Sequence, residues 1–228
     1  MAWYILTHPR WSDKGLQQVR KMQNWAINTL GINHWKKYGL TVMGEQSVYK
    51  MQGQSHTSRH ASIELLYAKL SPNDSLKNEA VRQLNFCTYA MDNDGKCRWM
   101  SFDTYEIWWT DGYGDFVRHF IRSMDAAPQL APYENHLLSS TSVLQKVIYQ
   151  KPNKTTLKTS AVVNYKAFDK EGTEKIRLTQ KPSKITLDNK ELRIATATNQ
   201  EGYSWIDMEK GGLLLITRLN GRNINVYN

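Results

Sequence analysis

Tyr203-Ser204-Trp205-Ile206-Asp207, Glu209-Lys210-Gly211, Gly212-Leu213-Leu214-Leu215-Ile216-Thr217-Arg218-Leu219, Asn220-Gly221 and Asn223-Ile224-Asn225-Val226-Tyr227 follow one another at the end of the chain. Short apolar-rich runs divided by turn residues read as strands. Glu209-Lys210-Gly211 predicts one hairpin. Asn220-Gly221 predicts a second, because Asn and Gly both tolerate positive φ.

Working back from this end, Glu191–Thr198, Lys184–Leu187, Lys175–Leu178 and Leu157–Tyr165 have the same short, Thr-, Val- and Ile-bearing character. Strands at about ten-residue spacing predict an antiparallel β-sandwich. Before residue 140 the apolar period changes from 2 to 3.6. Leu16, Val19, Ala26, Ile27 and Leu30 predict a helix over Lys14–Leu30, with Asp13 as its cap and Gly31 as its stop. Thr57 or Ser58 is expected to cap a second helix running to Leu70, placing His56 just ahead of it. Ser71-Pro72-Asn73-Asp74 reads as a helix–helix turn, and Ala80, Leu84, Cys87 and Met91 mark a third helix ended by Asp92-Asn93-Asp94-Gly95. A last helix from about Gly112 to Met124 carries Phe116, Val117, Phe120, Ile121 and Met124 as one apolar stripe. The fold class is therefore α+β in two parts: antiparallel helical hairpins over 1–138 and a small antiparallel β-sandwich over 139–228. The connection around Pro128–Ser142 marks the boundary.

The 228 residues are 40% hydrophobic and 22% charged, an ordinary globular balance. No apolar run nears the roughly 20 residues of a membrane helix, so no membrane partner is expected. MAWYILTHPRW lacks a basic segment before an apolar core, so it does not read as a secretory signal. The net charge of +9 is unevenly placed. From Gln145 onward there are 15 Lys and Arg against 8 Asp and Glu; all six histidines and seven of the eight tryptophans lie earlier. The basic residues of the β part are scattered and lack the aromatic pattern of an RNA-binding sheet, so nucleic acid is not the expected partner. Cys87 falls in an apolar helical pattern and reads as a small core residue. Two cysteines, Cys87 and Cys97, make neither a disulfide framework nor a zinc site, and neither metal nor cofactor is expected.

Two stretches hold the residues suited to chemistry. In the first, Gly44-Glu45-Gln46 precedes Gln52-Gly53-Gln54-Ser55-His56-Thr57-Ser58-Arg59-His60. Polar residues entering a helix leave backbone N–H groups toward an anion or a sugar oxygen. His56 is a candidate base, Arg59 a partner for a substrate carboxylate, and Glu45 and His60 candidate binding groups. The second runs from Asp103 to Asp115. Glu106, Asp111 and Asp115 are candidate acids or bases, Tyr113 a candidate proton carrier, and Trp108 and Trp109 flat faces for sugar rings. Glycosidic hydrolysis takes two carboxylates about 5–10 Å apart. Asp115, Arg118, His119 and Arg122 fall opposite the Phe/Ile stripe and are expected to line a cleft, with His119 contacting substrate. Each also has an ordinary structural use, as a cap, a helix-surface pair or a core aromatic.

Several of these segments resemble the C-terminal part of bacterial six-hairpin (α/α)-toroid proteins of the glycosidase- and polysaccharide-lyase-like group. The matching pieces are Gly44-Glu45-Gln46, Gln54–Ser62, Ala80–Tyr89, Asp111-Gly112-Tyr113-Gly114-Asp115-Phe116-Val117-Arg118-His119-Phe120, Ala131–Leu138 and the terminal Gly202–Ile216. The resemblance implies a carbohydrate-active protein with a closing β-sandwich, exported by its bacterial host. A full ring has twelve helices, and a hairpin takes roughly 35–45 residues at 1.5 Å per helical residue. The helical part thus makes half a ring, which implies a missing N-terminal toroid half or self-association over the uncovered helix flanks.

The resulting expectation is a protein acting on a polysaccharide or oligosaccharide, with an acidic chain fitting the arginines. The reaction is either hydrolysis by a carboxylate pair or β-elimination with His or Tyr as base and Arg59 on the uronate. The alternative is a non-catalytic glycan-binding or assembly fragment.

Overall fold

The computed structural model describes residues 1–48, 51–89, 97–98, 110–111, 115–150, 161–197 and 199–228, with backbone alone at 97–98, 110–111 and 115–116. The chain is α+β, with antiparallel strand pairing throughout its named sheets. It divides into two compact units, Met1–Ala127 and Pro128–Asn228.

The first unit contains helices α1 (Ala2–Thr7), α2 (Gly15–Leu30), α3 (Gln54–Leu70), α4 (Asp74–Thr88) and α5 (Asp115–Ala126). Short strands β1 (Gly31–Ile32) and β2 (Val42–Met43) pair with each other, as do β3 (Cys97–Arg98) and β4 (Thr110–Asp111). A 3-10 helix covers Asn33–Tyr38. α3 packs against α4 and α5 and also meets α1, α2 and β2. A helix surrounded in this way buries side chains around its circumference, which explains why Gln54, Thr57, Ser58, His60 and Glu64 are buried alongside Ala61, Leu65 and Leu66. Asn73 caps α4: its Oδ1 accepts from the Leu76 N–H at 3.1 Å.

The second unit holds two sheets. Strands β5 (His136–Ser140), β6 (Leu144–Tyr149), β7 (Val163–Ala167), β8 (Gly172–Leu178), β9 (Lys184–Leu187), β10 (Lys190–Glu191), β11 (Gly202–Asp207), β12 (Gly212–Arg218) and β13 (Asn223–Tyr227) form the orders β10-β9-β13-β7-β6 and β11-β12-β8-β5. Both contribute to one core: Val163 and Tyr165 from β7, Ile185 from β9, Ile224 and Val226 from β13, with Ile176 from β8 and Leu214 and Ile216 from β12. The period of 2 along β12 continues past Leu214 and Ile216 to Arg218, which is 1% exposed. Its guanidinium meets Glu174 of β8 at 2.7 Å, both side chains fully buried. Tyr165 Oη donates to Glu174 Oε2 at 2.9 Å, and the carbonyls of Asp169 and Gly221 accept from Arg218. Burial, the charge of Glu174 and the hydrogen bond to it hold the Tyr165 phenol well above its ordinary range. A β-carbon on Gly172 would sit 2.5 Å from that guanidinium.

Several local expectations are corrected. Lys14, not Asp13, stands at the N-cap of α2; the Lys14 N–H donates to Ser12 Oγ at 3.3 Å. α3 begins at Gln54 rather than after Thr57, because Thr57 Oγ1 turns back to donate to the Gly53 carbonyl at 2.7 Å. The expected Asn220-Gly221 hairpin does not form: β12 and β13 lie in different sheets. Gly221 is needed for closeness, since a β-carbon there would run into the Leu187 side chain. The paired positive φ angles occur instead at Asp188 (47°) and Asn189 (66°), between β9 and β10. The Glu209-Lys210-Gly211 turn does join β11 to β12, with Gly211 at φ 67°. Part of the connection expected over Pro128–Ser142 is strand β5, paired with β8, and β6 joins β7. Residues 151–160, part of the expected strand Leu157–Tyr165, and Met91 to Gly95 lie outside the described residues.

α5 is rotated relative to its expected orientation. His119 is wholly buried and Ser123 1% exposed, while Val117 and Ile121 of the expected apolar stripe are 47% and 48% exposed. Small Ser123 and Ala126 allow close packing, and the imidazole finds a partner on α3. Cys87 is a buried thiol whose Sγ donates to the Gln54 carbonyl at 3.3 Å.

Candidate functional site

The first helical turn of α3 meets a bend of the chain that precedes it. Gly44 bridges Gln52, the Glu45 N–H donates to the Met51 carbonyl at 2.8 Å, and the Gly53 N–H donates to the Met43 carbonyl at 2.8 Å. Thr57 Oγ1 accepts from the Met43 N–H at 3.0 Å, fastening β2 to the helix start. These bonds bring Glu45 over Gly53, where its Oε2 lies 3.0 Å from His56 Nδ1. The contact is electrostatic, without the alignment of a directed hydrogen bond. Both side chains are about 30% exposed. Gly53 makes room for the pair: a β-carbon there would lie 2.6 Å from Glu45 Oε1 and 3.0 Å from His56 Nδ1.

One turn along α3, Arg59 Nε donates to His119 Nε2 of α5 at 3.3 Å. Since Nε2 accepts, the neutral imidazole carries its proton on Nδ1. Burial first, then the charges of Arg59, Arg118, Arg122 and His56, push His119 down to about 3. Burial and the charges of Arg118 and Arg59 likewise lower Arg122. Arg122 stacks over the Trp3 ring, 5.1 Å from its centroid. Arg59 is bonded to His119, the charges of Arg118, Arg122 and His56 act on the same imidazole, and Glu45 sits against His56. Such a cluster suits an anion held next to a group able to exchange a proton.

His60 leaves the site. It is 5% exposed, and its Nδ1 donates to Gln83 Oε1 at 3.1 Å, while Gln83 Nε2 donates to the Thr41 carbonyl at 2.6 Å. Its Nε2 stands 3.6 Å from Glu64, which receives both its bonds from Arg20 at 2.9 Å. Burial lowers the His60 pKa against the opposing pull of Glu64 and Gln83. His60 thus ties α2, α3 and α4 together instead of meeting substrate, as expected of it from the sequence. His119, expected to contact substrate, is wholly buried with its ring on Arg59.

The structure therefore brings together Glu45, His56, Arg59 and His119 from the expected set. Glu106, Trp108, Trp109 and Tyr113 lie outside the described residues, as do the side chains of Asp111 and Asp115. Trp3 had no functional signal in the sequence, and Gly53 stood in the candidate stretch without a role of its own. The His60-x-x-x-Glu64 spacing was visible there, and its i, i+4 pairing announces the core network. Among the described residues no three His, Cys, Asp or Glu side chains gather as a metal set. None of the described helices is long and apolar enough to cross a membrane. No protein-family model, no curated protein and no solved structure matches this chain.

Proposed function

We propose that the chain is a carbohydrate-active protein that cleaves an acidic polysaccharide by β-elimination, its helical unit part of an (α/α)-toroid and its two sheets a small β-sandwich. The observation that carries this reading is the Glu45–His56 pair at the first turn of α3, one turn before Arg59 on the same helix. β-Elimination from a uronate needs a cation on the carboxylate, to stabilise charge as the C5 proton leaves, and a base to take that proton. Arg59 and Arg122 supply the cation. His56 takes the proton on its ring, and Glu45 steadies the imidazolium that results. The C–H electrons form the C4–C5 double bond, the C4–O bond breaks, and the departing oxygen is protonated by water. Hydrolysis would instead pair Glu45 with a second carboxylate, for which Glu106, Asp111 and Asp115 are the candidates in the sequence.

The test is to incubate the full chain with polygalacturonate, alginate, hyaluronate and chondroitin and follow the ultraviolet absorbance of unsaturated uronates. Absorbance that His56→Ala and Arg59→Ala each abolish is the expected result. New reducing ends without absorbance would identify a hydrolase, and retention without turnover a glycan-binding fragment; either outcome overturns elimination.

A further inference from the structure

We infer that a second sugar-binding subsite lies on the first unit, a groove between the 3-10 helix Asn33–Tyr38 and the C-terminal half of α4, which holds one pyranose ring of the polysaccharide. The groove has a volume of about 400 Å³. Leu40 and Phe86 are buried at its base, and Trp35 packs on Phe86 edge to face with centroids 5.1 Å apart. Tyr38 and Tyr89 rise at its rim, 57% and 78% exposed. Arg82, Asn85 and Tyr89 fall at helical spacing on one face of the end of α4, so one helix presents a cation, an amide and a ring to the same space.

This combination selects for a sugar. A pyranose has a flat C–H face that lies on an aromatic ring and hydroxyls around its edge that pair with amide and guanidinium groups. An apolar peptide face would leave Arg82 and Asn85 to be desolvated without partners. The volume is near the small end of ligand sites, too little for a docked helix but enough for a sugar ring. A guanidinium carries five N–H groups, and Arg82 lends one nitrogen to the Gly39 carbonyl at 3.3 Å, which fixes the arm and leaves the fork at the rim. Gly39, at φ 74°, allows that approach: a β-carbon would sit 3.0 Å from the guanidinium.

The groove also rests on the same small core as the Arg59 site. Leu40, Val42, Phe86 and Cys87 form that core, and both Trp35 of the groove and Phe120, next to His119, pack on it. A polysaccharide chain is repetitive, so two subsites on one rigid body raise its retention through effective concentration. The subsite takes its ligand class from the proposed function above, and the experiment separates the two.

The full chain is run through native gels containing polygalacturonate, alginate, hyaluronate, chondroitin or neutral xylan, alongside Tyr38→Ala/Tyr89→Ala, Tyr38→Phe and Arg59→Ala. Both tyrosines are surface residues, so their replacement leaves folding intact, checked by circular dichroism. On the retarding polymer the double variant is expected to bind about tenfold more weakly, Tyr38→Phe to bind as the wild type, and Arg59→Ala to weaken independently. Retention of the double variant equal to wild type overturns the subsite even where Arg59→Ala weakens binding. Loss with the tyrosine variant alone keeps the subsite and overturns the acidic-polysaccharide site. No retardation of the wild type on any polymer, or an apolar dye seated in the groove and indifferent to every polymer, overturns the subsite as well.

Discussion

Arg59 donates from Nε to Nε2 of His119 at 3.3 Å, joining α3 to α5 across 60 residues of chain. A charged donor thus buries a neutral ring on the face of α5 that packs against α3, and holds one tautomer of it. The same bond anchors Arg59, the residue proposed to neutralise the substrate carboxylate.

Acid should therefore unfold the helical unit early. Burial and neighbouring positive charges depress His119 from 6.5 to about 3. Between these values the unfolded state binds the extra proton, so stability rises with pH. It is complete above about pH 6.5 and is lost as pH falls toward 3. His60, lowered by burial, acts in the same direction. Tryptophan fluorescence in urea reports this unit, which carries seven of the eight tryptophans. The midpoint should drop through the window in the wild type and less steeply in His119→Gln; an unchanged slope in that variant defeats the assignment.

Gly53→Ala should separate activity from stability. The new β-carbon would lie 2.6 Å from Glu45 Oε1, so Glu45 must leave His56. At φ −104° the backbone itself accepts alanine. Turnover on the uronate polymer should fall at least about tenfold, while stability changes by less than about 1 kcal/mol. Rates equal to wild type would show that the Glu45–His56 contact does no chemistry.

In the second unit Glu174→Gln should cost about 3–5 kcal/mol, because it leaves the buried Arg218 guanidinium without its counter-charge. Tyr165→Phe removes one donor from Glu174 and should cost less, about 1–2 kcal/mol. The double variant Glu174→Leu/Arg218→Met should be more stable than Glu174→Gln alone. Urea midpoints followed by circular dichroism in the β-sheet region give the ranking, and the reverse order would refute the account.

Two glycines that look alike in the sequence should respond differently to rescue. Gly211→Ala forces an L side chain to φ 67° and against the Leu178 carbonyl, so no change of a neighbouring side chain should relieve it. For Gly221→Ala the nearest obstacle is the Leu187 side chain. Gly221→Ala/Leu187→Ala should therefore be no less stable than Leu187→Ala by itself. Additive losses in that double-mutant cycle would mean that Gly221 answers to its backbone.

Local chemistry was legible in the sequence where neighbours along the chain decide the outcome. The change of apolar period separated helices from strands, Ser71-Pro72-Asn73 separated α3 from α4, and Glu209-Lys210-Gly211 marked the β11–β12 turn. The candidate stretch around His56 and Arg59 was visible too, because polar residues entering a helix are conspicuous. Tertiary structure decided what depends on partners distant in sequence. Asn220-Gly221 has the composition of a hairpin, yet β13 pairs with β7 and β9, since the buried Arg218 takes the Gly221 carbonyl and Leu187 fills the space above it. The apolar stripe of α5 turned partly outward because Arg59 offered His119 a bond that no helical wheel contains. His56 and His60, one helical turn apart, parted for the same reason. Glu45 met the first near solvent and Gln83 met the second in the core, and a side chain's role follows the charge, donor or space that folding sets beside it.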